Sequence, residues 1–433
     1  MSCSRTYELG RYDLAAFMSF ACYAGCSVII PLSLVQMARD LGFALESGGM
    51  AAGGALQGIR SVAMVAAMAG CGFAAGRYGK RRLMGAAVLC MGTGIALTAF
   101  SPSYLFLLPL LMLAGLGEGL IEGIATPFVQ SLHPRESGRY VNTAHSFWSV
   151  GLFVFVLAGG ALLGRQVSWR VVLGVTGLLT LVPALLFLWR EHPDKKYPEE
   201  KQAASAAVVW QRVAAIARTP KFWCFFVVMF LNGGSEFCLT FWAASFIQLN
   251  FQASAWAGGM GTALLAAGMF GGRSGAGLLV KQAHLKHLLL WSALGTLPVA
   301  LAILLIRPEN FAVSSHALYA LYPCLFLAGV GVAPFWPTTQ VYCTDRLPHL
   351  DSTMVFVILS CAGIPGCGFF SWLMGVIGDH YGLRTSFWLV PATLIGIAAI
   401  ILAEGFLLPL RKGVIQVDAE APLAEATADD GNG

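Results

Sequence analysis

The chain has 433 residues, of which 57% are hydrophobic and only 11% charged, and its mean hydropathy is +0.71. Soluble domains carry about 25% charged residues, so an ordinary water-soluble globular protein is excluded and lipid is the solvent for most of the chain. The net charge of +5 follows from how the basic residues are distributed around apolar segments, and no nucleic-acid partner is expected.

At about 20 apolar residues per crossing, twelve membrane spans are predicted in chain order. They run Leu14 to Val35, Ala51 to Phe73, Leu83 to Phe100, Leu105 to Leu132, Val141 to Leu163 and Val171 to Trp189. After a polar interruption they continue as Phe222 to Phe246, Ala257 to Val280, Leu285 to Ile306, Ala317 to Tyr342, Thr353 to Ile377 and Ser386 to Leu408. Arg5 and Arg11 precede the first span, which exceeds the length of a signal-peptide core and is read as an uncleaved helix.

The interruption from Glu191 to Pro220 divides the spans six and six. The expected organisation is therefore a first six-helix bundle over 1–190, a central loop over 191–219 and a second bundle over 220–410. A disordered acidic tail over 411–433 completes it. Ser168-Trp169-Arg170 before span six and Arg384-Thr385-Ser386-Phe387-Trp388 before span twelve are similar text at equivalent places. Such internal repeats build transporters whose site lies at mid-depth between the halves. Within the loop, Ala203 to Arg218 has the composition of an amphipathic or linker helix.

The basic residues orient the array. Twenty of the 27 lysines and arginines fall on the side of the N-terminus and five on the other, with Arg60 and Arg273 inside spans. By the positive-inside rule both termini are expected in the cytoplasm of a cell-membrane protein. Cysteine spacing predicts neither a disulfide framework nor a zinc site. Cys22 and Cys26, one turn apart, read as packing residues. No phosphate-cradling Gly-x-x-x-x-Gly-Lys loop occurs, which argues against ATP-driven pumping, and no cofactor is expected beyond protons as coupling ion.

Intramembrane ionisable residues are costly and mark function by default. Glu118 and Glu122 in span four are one turn apart and expected on one helix face. Burial and mutual repulsion both favour a proton on one of them near neutral pH. Arg60 is their expected counter-charge, and a buried ion pair that merely holds helices together is the bland alternative. In span five Asn142, His145, Ser146 and Ser149 form a polar face beside Trp148; in span seven Asn232, Glu236 and Thr240 form another. Trp148, Trp242 and Trp336 offer flat surfaces for a sugar ring or apolar solute, though tryptophan is also common at membrane interfaces. Gln340 completes the candidate pathway in span ten, and Arg273 reads equally as gate or anchor.

The loop Gly72-Phe73-Ala74-Ala75-Gly76-Arg77-Tyr78-Gly79-Lys80-Arg81-Arg82 resembles the signature of the major facilitator superfamily: glycine, three residues, then Asp-Arg-x-Gly-Arg-Arg/Lys. In that family the aspartate helps latch the two halves shut on the cytoplasmic side; here Gly76 replaces it, while Arg77 and Arg81 remain as gate candidates. Glu122-Gly123-Ile124-Ala125-Thr126-Pro127-Phe128-Val129 resembles the Glu-Thr-x-x-Asn-Pro-Tyr/Phe-Val stretch of the fucose, galactose and gluconate proton symporters. Asn142 with His145 resembles their Asn-x-x-Gln, Gly234-Ser235-Glu236 their Gly-Ala-Glu, Gly272-Arg273 their Gly-Arg, and Trp336-Pro337-Thr338 their Phe-Pro-Thr. Span one has no acidic residue where members of that group can carry one.

The resemblance implies an all-α membrane protein of twelve helices in two pseudo-symmetric bundles. It further implies a monomeric, non-enzymatic, proton-coupled importer of a sugar or similar small solute, with Glu122 as proton site. Two alternatives stand beside it. A proton-exchanging drug or metabolite exporter is disfavoured because Gly151 to Gly164 has no proline where such antiporters usually carry a Gly-Pro pair. A transporter-like receptor or scaffold would bind ligand without moving it.

Overall fold

In the computed structural model the described residues are 9–134, 137–190, 197–198, 206–280, 284–311 and 313–407. The expected acidic tail, Ala203 to Ser205 of the loop helix, and the side chain of Asn142 lie outside them.

The described secondary structure is helical throughout. The first six spans are α1 (Arg11–Asp40), α2 (Met50–Tyr78), α3 (Lys80–Thr98), α4 (Tyr104–Leu132), α5 (Ser137–Gly164), and α6 (Trp169–Leu179) continued by α7 (Leu181–Leu188). A linker helix, α8 (Ala206–Ala217), leads to the second six. These are α9 (Pro220–Asn250), α10 (Ala255–Leu279), α11 (Leu285–Leu305), α12 (Ser314–Val332) with α13 (Phe335–Arg346), α14 (Ser352–Tyr381), and α15 (Leu383–Ser386) with α16 (Leu389–Leu407). Ten stretches are apolar and long enough to cross a membrane by composition alone. The glycine-rich, less hydropathic α3 and α10 complete the twelve spans.

Local chemistry sets where the helices begin. Pro220 occupies the first turn of α9, where its missing N–H is no loss. Ser254 accepts from Ala257 N at 3.3 Å to cap α10, and Asp351 accepts from Met354 N at 2.8 Å to cap α14. Three predicted spans are interrupted. Span six breaks at Thr180, whose side chain fills the notch left by Gly92, span ten breaks at Ala333–Pro334, and span twelve opens with the short α15. Backbone groups freed at such breaks are tolerated in a membrane only where other protein groups cover them.

Across the halves, α2 pairs with α14 and α5 with α10, while α1 lies against α9. Glycines set how closely the pairs approach. A Cβ on Gly54 would stand 2.3 Å from Ser371 O, and one on Gly259 would stand 2.9 Å from Gly160 Cα. Eighteen residues make five helical turns, so Gly72 lies on the same face of α2 as Gly54, and Gly277 on the same face of α10 as Gly259. Neither Gly72 nor Gly277 has a heavy atom within 4 Å of its Cβ position. The halves therefore meet at one face and part toward the other, which carries the basic Gly76–Arg82 loop. These are called below the closed face and the basic face.

Candidate functional site: the cavity between the halves

Glu118 and Glu122 are not a shared pair. Glu118 is buried and bonds to the buried Arg60 of α2, which also donates to Cys26 O at 3.2 Å and Ser27 O at 3.3 Å on α1. That carboxylate and its cation tie α1, α2 and α4 together inside the first half. One turn on, Glu122 is only partly buried. Among the described residues it has no hydrogen-bond or ion-pair partner, and the charges whose fields act on it are Arg273 and Glu236 of the second half. The expectation of a common counter-charge from i, i+4 spacing is corrected here: Arg60 pairs with Glu118, while Glu122 lies in the field of Arg273 and Glu236 of the other bundle. Tyr23 of α1, which sequence reading passed over, lies within the field of both carboxylates.

From the second half, Arg273 on α10 donates to Glu236 on α9 at 3.2 Å and to Ala333 O, in the break between α12 and α13, at 3.3 Å. Its guanidinium also lies 4.9 Å from the ring centroid of Trp148 on α5, within cation–π range. Arg273 thus touches groups of both halves. His145 packs its ring 4.6 Å from that of Phe20, and its Nε2 lies 3.0 Å from Thr126 Oγ1 on α4. It is nevertheless exposed.

Asn232, Trp242, Trp336 and Gln340 sit within the second half. Asn232 is buried and donates to Thr339 Oγ1 at 2.8 Å and Phe335 O at 3.3 Å, leaving its side-chain Oδ1 unpaired. Trp336 packs its ring against Gly363, and Gln340 donates to Ser360 Oγ at 3.1 Å. Trp242 is fully buried and donates to Ser371 O at 3.0 Å, so it is a core residue. At the basic face Arg77 stacks on its neighbour Tyr78, and Arg81 is buried and donates to Phe187 O. Both of these contacts stay within the first half.

Among the charged groups that escaped the sequence reading are Glu404 and Asp13. Glu404 of α16 is fully buried and is met by Lys221 at 2.6 Å, Arg346 at 3.2 Å, Lys286 at 3.9 Å and the Tyr342 hydroxyl at 3.1 Å. It staples α9, α11, α13 and α16. Asp13, in the first turn of α1, bonds to His133 at 2.6 Å. Each stands within a turn or two of a helix end, where a lone charge in the sequence reads as the edge of a span.

A helical protein of two packed halves, with the Arg273–Glu236 pair of one half set against Trp148 of the other inside the spans, has the architecture of a transporter. The family model described as the Major Facilitator Superfamily matches residues 15–322. The chain belongs to the major facilitator superfamily. It is a multi-pass membrane transporter and not an enzyme.

Among curated members, it is 27% identical over 201 residues to a "probable sulfoacetate transporter" of Cupriavidus necator, a match covering 41% of this chain and 44% of that one. It is 24% identical over 150 residues to an organic cation/carnitine transporter of Arabidopsis thaliana, covering 34% and 29%. The matches thus span less than half the length of these relatives. A D-xylose-proton symporter structure superposes with a TM-score of 0.73 at 15% identity, covering 92% of this chain and 98% of that one. At that identity the likeness establishes the superfamily fold alone.

Proposed function

We propose that this superfamily member is a proton-coupled importer of a small polar solute, with sugars and sugar acids as the first class to test. Its proton site is Glu122. The observation that carries this reading is a carboxylate inside a span, with no partner among the described residues, lying in the field of an Arg273–Glu236 pair on the opposite bundle. An unpaired ionised carboxylate enclosed by protein in a membrane costs several kcal/mol by roughly any scale, so passage through a closed intermediate requires Glu122 to be protonated or paired with a ligand. With Arg273 balancing Glu236, the cavity charge is −1 with Glu122 ionised and zero with it protonated. That difference links the rocking of the halves to a proton.

Trp148 and Trp336 supply faces for a ring, and Gln340, Thr126 and His145 supply hydrogen-bonding groups for hydroxyls. The basic face is taken as cytoplasmic, by the excess of lysine and arginine there, in a cell membrane. A second reading rests on the same −1 charge, which a cationic solute also neutralises, and which a relative named for organic cations supports. In that case the cargo and the proton exchange at Glu122.

A thermal-shift screen of the purified protein against sugars, sugar acids, amino acids and quaternary amines at two pH values separates the readings, since bound ligand stabilises the folded form. Stabilisation by sugars or sugar acids, increasing as the pH falls, supports symport. Stabilisation by amines that weakens as the pH falls supports exchange, and saturable binding without counterflow in liposomes marks a receptor.

A further inference from the structure

The ends of α2 and α14 carry the same turn in different chemistry. Gly72-x-x-x-Gly76-Arg77-Tyr78-Gly79-x-Arg81 closes α2, and Gly375-x-x-x-Asp379-His380-Tyr381-Gly382-x-Arg384 closes α14. The two turns have one backbone: Gly79 has φ 84° and ψ 144°, Gly382 has φ 83° and ψ 148°, and each is a left-handed-φ glycine ending one helix and starting the next. Only glycine adopts such a conformation without penalty. The first turn lies at the basic face and the second at the closed face. At the position equivalent to Gly76, the second copy has an aspartate.

That aspartate crosses to the other half. Its Oδ1 accepts from Met50 N and its Oδ2 from Ala51 N, each at 2.8 Å, so Asp379 caps the first turn of α2. The N-terminus of α2 needs an outside cap because the preceding residue is Gly49, which has no side chain to provide one. At the basic face the antiparallel partner is placed differently, since α14 is already capped by its own Asp351. One end of the α2/α14 pair is thus bridged between halves by a carboxylate on a helix N-terminus, a favourable charge–dipole arrangement. The other end is satisfied locally and has glycine where an acid would reach across.

The interface that this contact closes is finely balanced. Gly54, Gly58, Gly368 and Gly375 let the backbones meet. On the same stripe of α2, Gln57 Oε1 and Ser61 Oγ are buried without any hydrogen-bond partner. Buried unsatisfied polar groups oppose closure, and parting the halves at this face would hydrate them.

We propose that Asp379 is the latch of the closed face, a positioning residue that biases the transport cycle toward the state open on the basic face by capping α2 from the opposite bundle. Removing it frees the interface to open, and the missing acid at Gly76 leaves the basic face without an equivalent hold.

The test is hydrogen–deuterium exchange on the full-length protein in lipid nanodiscs, with no ligand needed, comparing wild type, Asp379→Asn and Asp379→Ala. For Asp379→Ala the latch requires faster exchange at Met50 and Ala51, along Gly54–Ser61 and along Gly368–Gly375, with slower exchange at Gly70–Gly76. The change in the open-to-closed ratio should be about fivefold, the equivalent of one typical helix cap. Asp379→Asn, which keeps one acceptor oxygen, should fall between. Exchange around Glu404 should stay unchanged and reports that the fold is intact. Faster exchange confined to Met50 and Ala51, with the stripe and the basic face unmoved, would make Asp379 a local cap and overturn the proposal.

Discussion

Arg273 on α10 lies 4.9 Å from the ring centroid of Trp148 on α5, so a single guanidinium joins the two halves while bonded to Glu236 on its own side. A cation over an indole face is worth about 0.5 to 2 kcal/mol, depending on desolvation. Trp148→Ala should weaken binding of the solute selected by the thermal-shift screen by a factor of about 2 to 30, and Trp148→Phe by less. Titration of each variant with that solute measures the difference. Equal affinity in all three proteins would show that the contact plays no part in the site.

The Arg60–Glu118 pair is buried on both sides, at 1% exposure each. Removing one member strands the other charge, a loss of about 3 to 5 kcal/mol for buried pairs, whereas replacing both by apolar groups is often near neutral. Thermal unfolding of the solubilised protein should therefore rank Arg60→Met as severely destabilised and Arg60→Met/Glu118→Leu as much closer to wild type. Transport by the double variant, if folded, would establish that Glu118 serves structure alone.

Glu404 is met by three cations, Lys221, Arg346 and Lys286. Glu404→Gln should leave three cations facing a neutral amide and lower the unfolding temperature by more than Asp351→Asn. Asp351 pairs with Arg212 at 3.0 Å near the surface, where such pairs contribute about 0 to 1 kcal/mol.

Glycine positions on one face of α2 should respond oppositely. Gly54→Ala places a methyl 2.3 Å from a backbone oxygen of α14 and should force the closed face apart, while Gly72→Ala meets open space in this state. Chemical cross-linking between engineered cysteine pairs spanning the closed face should fall for the first and stay unchanged for the second.

The span count and the importance of the glutamates were legible in the sequence because both depend on one physical fact, that charge is costly in lipid. Glu118, Glu122, Glu236, Arg60 and Arg273 stand out against apolar runs whatever the tertiary structure. Their partners did not stand out, because i, i+4 spacing fixes a face of one helix and not the neighbour beyond it. Glu118 turned to Arg60 and Glu122 to the second half, although one turn separates them. The basic loop announced its family through glycine spacing, while the bond from buried Arg81 to Phe187 O at the end of α7 had no sequence signal. Asp379 and Glu404 were missed because a charge near the end of a span looks like the start of a loop. Their roles exist only once helices distant in sequence are brought together.

The central claim is that Glu122 carries the coupling proton. The direct measurement is pH-gradient-driven uptake in proteoliposomes, for wild type and Glu122→Gln, using the solute selected by the thermal-shift screen, with counterflow recorded in parallel. The account predicts that Glu122→Gln, fixed in the neutral form, loses gradient-driven accumulation and retains counterflow. Accumulation at the wild-type level in Glu122→Gln, with the same dependence on the pH gradient, would contradict it.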